Sequence, residues 1–492
     1  MPRLVTGFSR PETYVYNDSS YTAQTQPSKC LQDDQMTGGL DCGPGSSEDC
    51  LFLNVFFAPA KIISEAKLPL MVWMHGGSLT AGSVFLYNGA SFIAYSQEVN
   101  KPIIHVALDY RLGVFGWGMG SGFAEQNATS LGLQDIKKFL LWVEEYIEAF
   151  GGDPEQVTVY SESAGAIATS LLLLDPSTDL LFKQAVTALN PPSRLARATP
   201  PLLLASNCSN SNGSSPFECL RNLSGEELPA AQISLKNQSQ FRAGGIYGPS
   251  VDGDLIPDSP HELLRHGQVA DKPFITGCNK DEATEFIPTS VSGEAFGEVL
   301  FKSFYPADLS PQTLKKLTQD YYPNDPALGS PFDTGNETFG LDPSLKQFAA
   351  ILGDALFQAQ RRHFLRQANS HGNAKTWTYQ FEQPIKDMPA YTGVHHTAEI
   401  AYVYGTAKPE MGLPLAGFAP KYTGADTSLS EQIMDYWLNS AYDSDPNGLT
   451  DSSSSDATYW CAHNVNDKHI LRLIADNTIT RPLSKMISEK RV

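Results

Sequence analysis

The sequence predicts an α/β fold with a large, mostly parallel central sheet and helices on both faces, and two patterns lead there. Five apolar runs, Leu68–Met74, Ile103–Leu108, Val157–Tyr160, Ala185–Leu189 and Phe274–Gly277, mostly do not alternate with polar residues. A strand with one wet face alternates; runs like these belong to strands covered on both faces. Helical patterns lie between the runs, and strand following helix in repetition is the arrangement of a parallel sheet. The composition agrees: 41% hydrophobic and 18% charged residues, with 39 Gly and 33 Pro, is that of a globular protein and excludes a disordered or fibrous one. The 492 residues leave the domain count open, because large α/β enzymes often build one sheet of this size.

The elements follow in order. The opening MPRLVTGFSRPETYVY has Pro at its second position and no apolar stretch, so no secretory leader is visible. Leu68–Met74 is the first central strand and ends in His75-Gly76-Gly77-Ser78. The clearest helix is Asp135–Phe150, where Ile136, Phe139, Leu140, Val143, Ile147 and Phe150 keep the helical period and Gly151-Gly152 ends it. Strand Val157–Tyr160 then runs through a short turn into a helix that starts near Ala166. Ser206–Ser215 and Asp443–Ser455 lack the apolar residues to pack and read as surface loops. There is no internal repeat.

Charge and cysteine usage narrow the partners. With 35 Lys and Arg against 54 Asp and Glu, the net charge of -19 repels phosphate backbones and anionic lipid, which argues against nucleic acid as a partner. No apolar run reaches the length of a membrane span. Seven cysteines occur without a C-x-x-C pair, which argues against a zinc ribbon or a thioredoxin motif, and Cys208 and Cys219 flank a loop that suits a disulfide clip. Seven N-x-S/T sequons, at Asn17, Asn127, Asn207, Asn212, Asn222, Asn237 and Asn336, point the same way, to a glycoprotein related to secreted proteins whose own leader is missing or lost. Ordinary Asn, Ser and Thr abundance accounts for about half of them.

The chemistry concentrates in VTVYSESAGAIATSLLLL. A strand, a tight turn at Ser161-Glu162-Ser163-Ala164-Gly165 and a helix are the context of a nucleophile elbow, which lifts the Ser163 hydroxyl clear of the sheet and aims a helix N-terminus at developing negative charge. A bare S-x-S-x-G arises often by chance, so the context carries the reading. Acyl transfer also needs donors for an oxyanion: the His75–Ser78 turn offers backbone N–H groups, and Ala164 N–H follows the nucleophile directly. Alone, that turn is an ordinary strand end. The triad order of this architecture is Ser, acid, His. Glu282, in FITGCNKDEATEF after a strand, fits first as the acid, while Asp281 and Glu285 read as solvated surface charge. Spacing cannot choose among His363, His371, His395, His396, His463 and His469, most of which must be structural.

These residues carry a resemblance. EDCLFLNVF (48–56), MVWMHGG (71–77), DYRLGVFG (109–116), FGGDPEQVTVYSESAGA (150–166), NKDEATEF (279–286) and GVHHTAEIAYVYG (393–405) look like the type-B carboxylesterase/lipase family of α/β-hydrolases. VDGDLIP (251–257), GSPFDTG (329–335) and DYWLNSA (435–441) extend the match, in order, through most of the chain. The resemblance implies one α/β-hydrolase domain over residues 1–492 and a triad of Ser163, Glu282 and His396, with His396 rather than His395 at the catalytic position. It implies oxyanion donors at Gly77, Ser78 and Ala164, and second carboxylates near the histidine at Glu162 and Glu399. It pairs Cys30 with Cys50 and Cys208 with Cys219, leaving Cys42, Cys278 and Cys461, of which Cys278 reads as a buried thiol. The chain departs from the family at Ser78 and Ser161, where Gly is usual, and its start near GFSRPE implies that the usual opening strands are absent.

The expected activity is hydrolysis of a small-molecule carboxylic ester through an acyl-enzyme, with no cofactor and no metal. An acyltransferase, lactonase or biosynthetic cyclase could use the same triad. A non-catalytic adhesion module on this fold would lack the serine, which is present. A dinucleotide site at Gly116–Gly122 fails because these glycines alternate, miss the G-x-G-x-x-G spacing and open no clear helix. The Cys30–Cys50 loop contains no Trp to hold a choline cation, and it is short, Gly-rich and acidic where lipases of the family carry an amphipathic lid. Both features point away from choline esters and from interfacial activation. Oligomeric state and the ester's acyl and alcohol groups are not legible.

Overall fold

The computed structural model describes residues 2–3, 7–13, 23–32, 41–58, 67–188, 202, 205–210, 215–224, 226–238, 247–290, 293, 310–411, 420–448 and 458–482. Contacts divide the chain into two compact units, residues 1–183 with 194–270, and residues 184–193 with 271–492.

In the first unit, strands β1 (Leu53–Phe56), β2 (Leu68–Met74), β3 (Ile104–Leu108) and β4 (Gly152–Glu162) lie in the order β4-β2-β3-β1. β4, β2 and β3 are mutually parallel, and β1 is the antiparallel edge. Every residue of β2 and β3 is buried, which is why neither run alternates. β4 is longer than Val157–Tyr160 because its polar start is recruited to the sheet: Leu68 pairs with Gly152, and a register shift follows before Leu70 pairs with Val157. Helix α1 spans Leu131–Tyr146, starting four residues before the expected Asp135. Asp135 points inward and is clamped by Arg111, whose Nη2 and Nε donate at 2.6 and 2.8 Å. Arg111 also donates to the Ser9 carbonyl at 2.6 Å, so one buried ion pair ties the GFSRPE and DYRLG segments to α1. Breaking such a pair from one side costs about 3–5 kcal/mol. After α1 a 3-10 turn, Ile147–Phe150, closes on Gly151 at φ 82°. α2 (Ala164–Leu172) starts two residues earlier than expected. The alternating glycines separate two five-residue helices, Gly113–Trp117 and Ser121–Glu125; the second does start there, too short to show a period in sequence.

In the second unit, β5 (Gln184–Ala188), β6 (Phe274–Asn279), β7 (Thr376–Phe381), β8 (His469–Leu473) and β9 (Ile479–Pro482) lie in the order β9-β8-β7-β6-β5. All neighbours are parallel except β8 and β9. β7 carries Thr376, Thr378 and Gln380 at alternate positions and so escapes an apolar search, yet all six of its residues are buried. Its threonines are paired: Arg361 Nη1 donates to Thr378 Oγ1 at 2.5 Å, and Thr376 Oγ1 donates to the His463 carbonyl at 2.9 Å. Helices α3 (Ser344–Gly353), α4 (Ala359–Ser370) and α5 (Gly424–Asp443) are the longest described helices of this unit, α5 opening with a Thr423/Asp426 capping box.

Cys30–Cys50 and Cys208–Cys219 are disulfides, both in the first unit; Cys42, Cys278 and Cys461 are thiols, and burial raises the pKa of Cys278. Asn127, Asn207, Asn222 and Asn336 are exposed. Asn17, Asn212, the Asn237 side chain, and parts of the two surface loops (211–214 and 449–455) lie outside the described residues, as does 33–40 of the Cys30–Cys50 loop. Among the described residues no helix is long and apolar enough to cross a membrane.

Candidate active site

β4 delivers the chain to Ser163, whose backbone stands at φ 54° and ψ -124°, capping α2. A non-glycine residue held there stores about 1–3 kcal/mol of strain, and only over-determined surroundings maintain it. The surroundings are glycines where nothing larger fits. A Cβ at Gly165 would lie 2.1 Å from the Met74 carbonyl oxygen, so α2 crosses directly over the end of β2. A Cβ at Gly76 would lie 2.9 Å from the Ser163 Cβ and 2.7 Å from Glu162 Oε2, which brings the turn after β2 against the elbow. Ser161, in place of the family's Gly, is accommodated: it is buried in β4, and its hydroxyl lies 2.8 Å from Thr169 Oγ1 on α2.

The turn after β2 is held as tightly. Gly77, Ser78 and Leu79 take φ 105°, 57° and 63°. Ser78 therefore occupies the left-handed region that glycine would enter without cost. The turn closes on the Gly77 carbonyl, which accepts from Thr80 and Ala81 N–H at 3.0 Å, and on Leu79, whose carbonyl accepts from Gly113 N–H at 2.7 Å. A Cβ at Gly77 would lie 2.0 Å from the Ala81 oxygen. Beneath the turn, His75 stacks on Tyr110 at 4.5 Å, and its Nδ1 donates to the Gly76 carbonyl at 2.8 Å. Burial lowers the His75 pKa to about 4 and raises that of Asp109, 3.6 Å from its Nε2, to about 7. His75 is thus a neutral strut at neutral pH.

In the second unit the loop after β6 carries Glu282, which is 3% exposed. Its Oε1 accepts from Asn279 N–H at 2.6 Å, and its Oε2 is 2.6 Å from His396 Nδ1. A carboxylate can only accept here, so Nδ1 carries the proton and Nε2 is left as the basic nitrogen. The rings of Phe286 and Phe357 flank the imidazole, each at 5.2 Å. His395 is turned elsewhere: fully buried, it donates from Nδ1 to the His396 carbonyl at 2.6 Å, with Glu285 Oε1 at 3.4 Å. Glu399 receives Asn279 Nδ2 at 2.5 Å, and the same Nδ2 donates to the His395 carbonyl at 2.8 Å. Burial, followed by the charge of Glu282, pushes the Glu399 carboxyl upward.

Ser163, Gly77, Ser78, Ala164 and Glu162 are therefore gathered in the first unit, and Glu282, His396 and Glu399 in the second. Sequence reasoning missed Asn279, which joins the acid and histidine loops, and Thr169, which answers Ser161. It also misread Asp281, expected as solvated charge: at 2% exposure it is buried and hydrogen-bonded, whereas Glu285 is exposed. No local signal separates these two, since the donors that turn Asp281 inward come from loops 49 to 113 residues away. Among the described residues no cluster of His, Cys, Asp and Glu is arranged to hold a metal.

A serine strained between a parallel strand and the helix that follows it, beside a glycine turn from the neighbouring strand, is the construction of the α/β-hydrolases, and this chain has that fold. It belongs to the carboxylesterase family, whose profile matches residues 6–489. It is 33% identical over 401 residues to Lipase 1 of Geotrichum candidum, across 75% of this chain and 69% of that one. It is 31% identical over 471 residues to the liver carboxylesterase of Sus scrofa, covering 89% and 78%. It is 30% identical over 429 residues to a secreted triacylglycerol lipase of Gibberella zeae, covering 82% and 68%. By class, the chain is a carboxylic ester hydrolase.

Proposed function

We propose that ester hydrolysis proceeds through an acyl-enzyme on Ser163, with His396 as general base and Glu282 as its orienting acid. The observation that carries this reading is the 2.6 Å bond from His396 Nδ1 to Glu282, which leaves Nε2 basic. Ser163 Oγ attacks the ester carbonyl carbon while His396 Nε2 takes its proton. The oxyanion is held by the N–H groups of Gly77, Ser78 and Ala164, each worth about 3 kcal/mol in such a site. Collapse breaks the bond to the alcohol, which leaves with the proton from His396. Water, deprotonated by the same nitrogen, then attacks the acyl carbon and frees the acid and Ser163. Glu162 and Glu399 stand behind this machinery as buried carboxylates. Glu399 is held through Asn279 to the histidine loop.

The substrate in this reading is a soluble small-molecule ester, favoured by the acidic, Gly-rich Cys30–Cys50 loop. Two disulfides, four exposed sequons and a secreted relative support the secretory pathway and glycosylation. The deciding experiment profiles a panel of aryl and alkyl esters with varied acyl groups against Ser163→Ala. Hydrolysis that survives in the variant would remove Ser163 from the reaction, and transfer to an added alcohol outrunning hydrolysis would move the reading to an acyltransferase.

A further inference from the structure

The loops that present Glu282 and His396 belong to segments 114 residues apart in sequence, and something must fix their spacing to a few tenths of an ångström. The carboxylate of Asp281 lies where they meet. Its Oδ2 accepts from Val394 N–H at 3.0 Å, two residues before His396, while its own N–H donates to the Val394 carbonyl at 2.9 Å. Asp281 and Val394 thus form a closed two-bond ring between the acid loop and the histidine loop. Its Oδ1 accepts from Ser330 Oγ and from Phe332 N–H, both at 2.8 Å, bringing in a third segment. The contact is close enough to dictate its neighbour: Gly393 stands at φ 57°, and a Cβ there would lie 2.5 Å from Asp281 Oδ2 and 2.6 Å from the Pro331 Cβ. Thr284 adds a parallel stitch, its hydroxyl donating to the Thr392 carbonyl at 2.6 Å.

We propose that Asp281 is a positioning residue for the hydrolytic reaction: its carboxylate clamps the His396 loop onto the Glu282 loop and so sets the Glu282–His396 distance. The inference rests on the triad reading above. Asp281 touches neither His396 nor substrate; it acts through Val394 and Gly393. A carboxylate is required because four lone-pair sites must receive three donors from two directions. An amide of the same shape offers one oxygen, so an Asn must turn an N–H towards either Val394 N–H or Phe332 N–H.

The test compares Asp281→Asn with Asn369→Ala, a buried control on α4 whose side chain donates to the Asn373 carbonyl and Thr376 Oγ1, outside the acid and histidine loops. Both are assayed on one active ester well below their melting temperatures, with the folded fraction measured by circular dichroism. Asp281→Asn should lower kcat by about 10- to 100-fold with KM within about twofold, the pattern of a misplaced base and intact ground-state binding. Asn369→Ala should lose stability and keep its kcat. Should Asp281→Asn fail to fold, Thr284→Val removes the parallel stitch to Thr392 together with the hydroxyl's 2.9 Å bond to the Asp281 carbonyl, leaves the Asp281 carboxylate in place, and should show the same split at about 3- to 10-fold. The proposal is overturned if the folded variant keeps its kcat within twofold, if its loss lies in KM, or if the loss only follows the unfolded fraction. Ser163→Ala separates the two claims: an active Ser163→Ala sinks the triad, whereas an inactive Ser163→Ala beside a normal Asp281→Asn sinks the clamp alone.

Discussion

Ser163 and Ser78 in the first unit sit at φ 54° and 57°, kept there by glycines whose missing side chains let carbonyl oxygens approach within contact. Glu282 and His396 in the second unit need no such backbone; they are held by side-chain bonds of 2.6 Å and by Asn279 and Asp281 behind them. One half of the proposed site is made rigid by steric exclusion and the other by buried polar pairing. The first should fail when a methyl group is added and tolerate changes of polarity. The second should fail when an acceptor becomes a donor at constant shape.

The largest expected effect removes a reacting group from each half. Ser163→Ala should cost about 10⁵-fold or more in kcat, and Glu282→Gln, an isosteric change, about 10⁴-fold, while thermal melts stay close to the parent. A mild Glu282→Gln would show that the second half does not depend on its carboxylate. His395→Ala should stay within about tenfold, since its ring Nδ1 is directed to the His396 carbonyl and Glu285 rather than to Glu282; reversal of the two histidines would overturn the assignment.

Disulfides sharpen the contrast, because both lie in the first unit. Loops of 20 and 11 residues should each contribute about 3 kcal/mol by restricting the unfolded chain. Reduction should therefore lower the urea midpoint and admit proteolysis in the first unit before the second. Simultaneous cleavage of both units would show that they unfold together.

Burial lowers the pKa of His105, in β3, to about 4, against 6.5 for the free side chain. Between those values the unfolded chain binds a proton that the folded chain does not, so stability falls as pH drops through that window. The loss is about 3 kcal/mol when complete. At His75 and Asp109 the two shifts oppose each other, the folded chain gaining a proton on Asp109 from about pH 7 downward. His105→Gln should flatten the urea-measured stability profile between pH 6.5 and 4 by about one proton; an unchanged slope would exclude His105 as its source.

The smallest expected effect is at Ser78. Ser78→Gly relieves a left-handed serine, worth about 1 kcal/mol, and removes a hydroxyl beside the proposed oxyanion donors. Longer acyl esters should gain and acetyl esters change little. A large uniform rise in turnover would mean that Ser78 misaims a donor, costing about 3 kcal/mol, and that this half tolerates an intact Cβ poorly.

Local chemistry already determined the cores of five buried strands, the elbow at Ser163 and the glycine turn at Gly76–Ser78, because burial on both faces and a positive-φ turn leave their marks within a few residues. Family resemblance added His396 and the Cys30–Cys50 pair, which spacing alone left open, and agreed with the Cys208–Cys219 clip that spacing had suggested. Only tertiary structure decided what depends on partners far along the chain. Pairing with β2 set the start of β4, α1 starts at Leu131 with Asp135 turned inward, and bonds to Arg361 and His463, 17 and 87 residues away, make burial of the β7 threonines tolerable. The same holds for Asp281 and Glu285, alike in sequence and opposite in environment: Ser330, Phe332 and Val394, 49 to 113 residues away, supply the donors that make burial of one carboxylate tolerable, and nothing near residue 281 announces them.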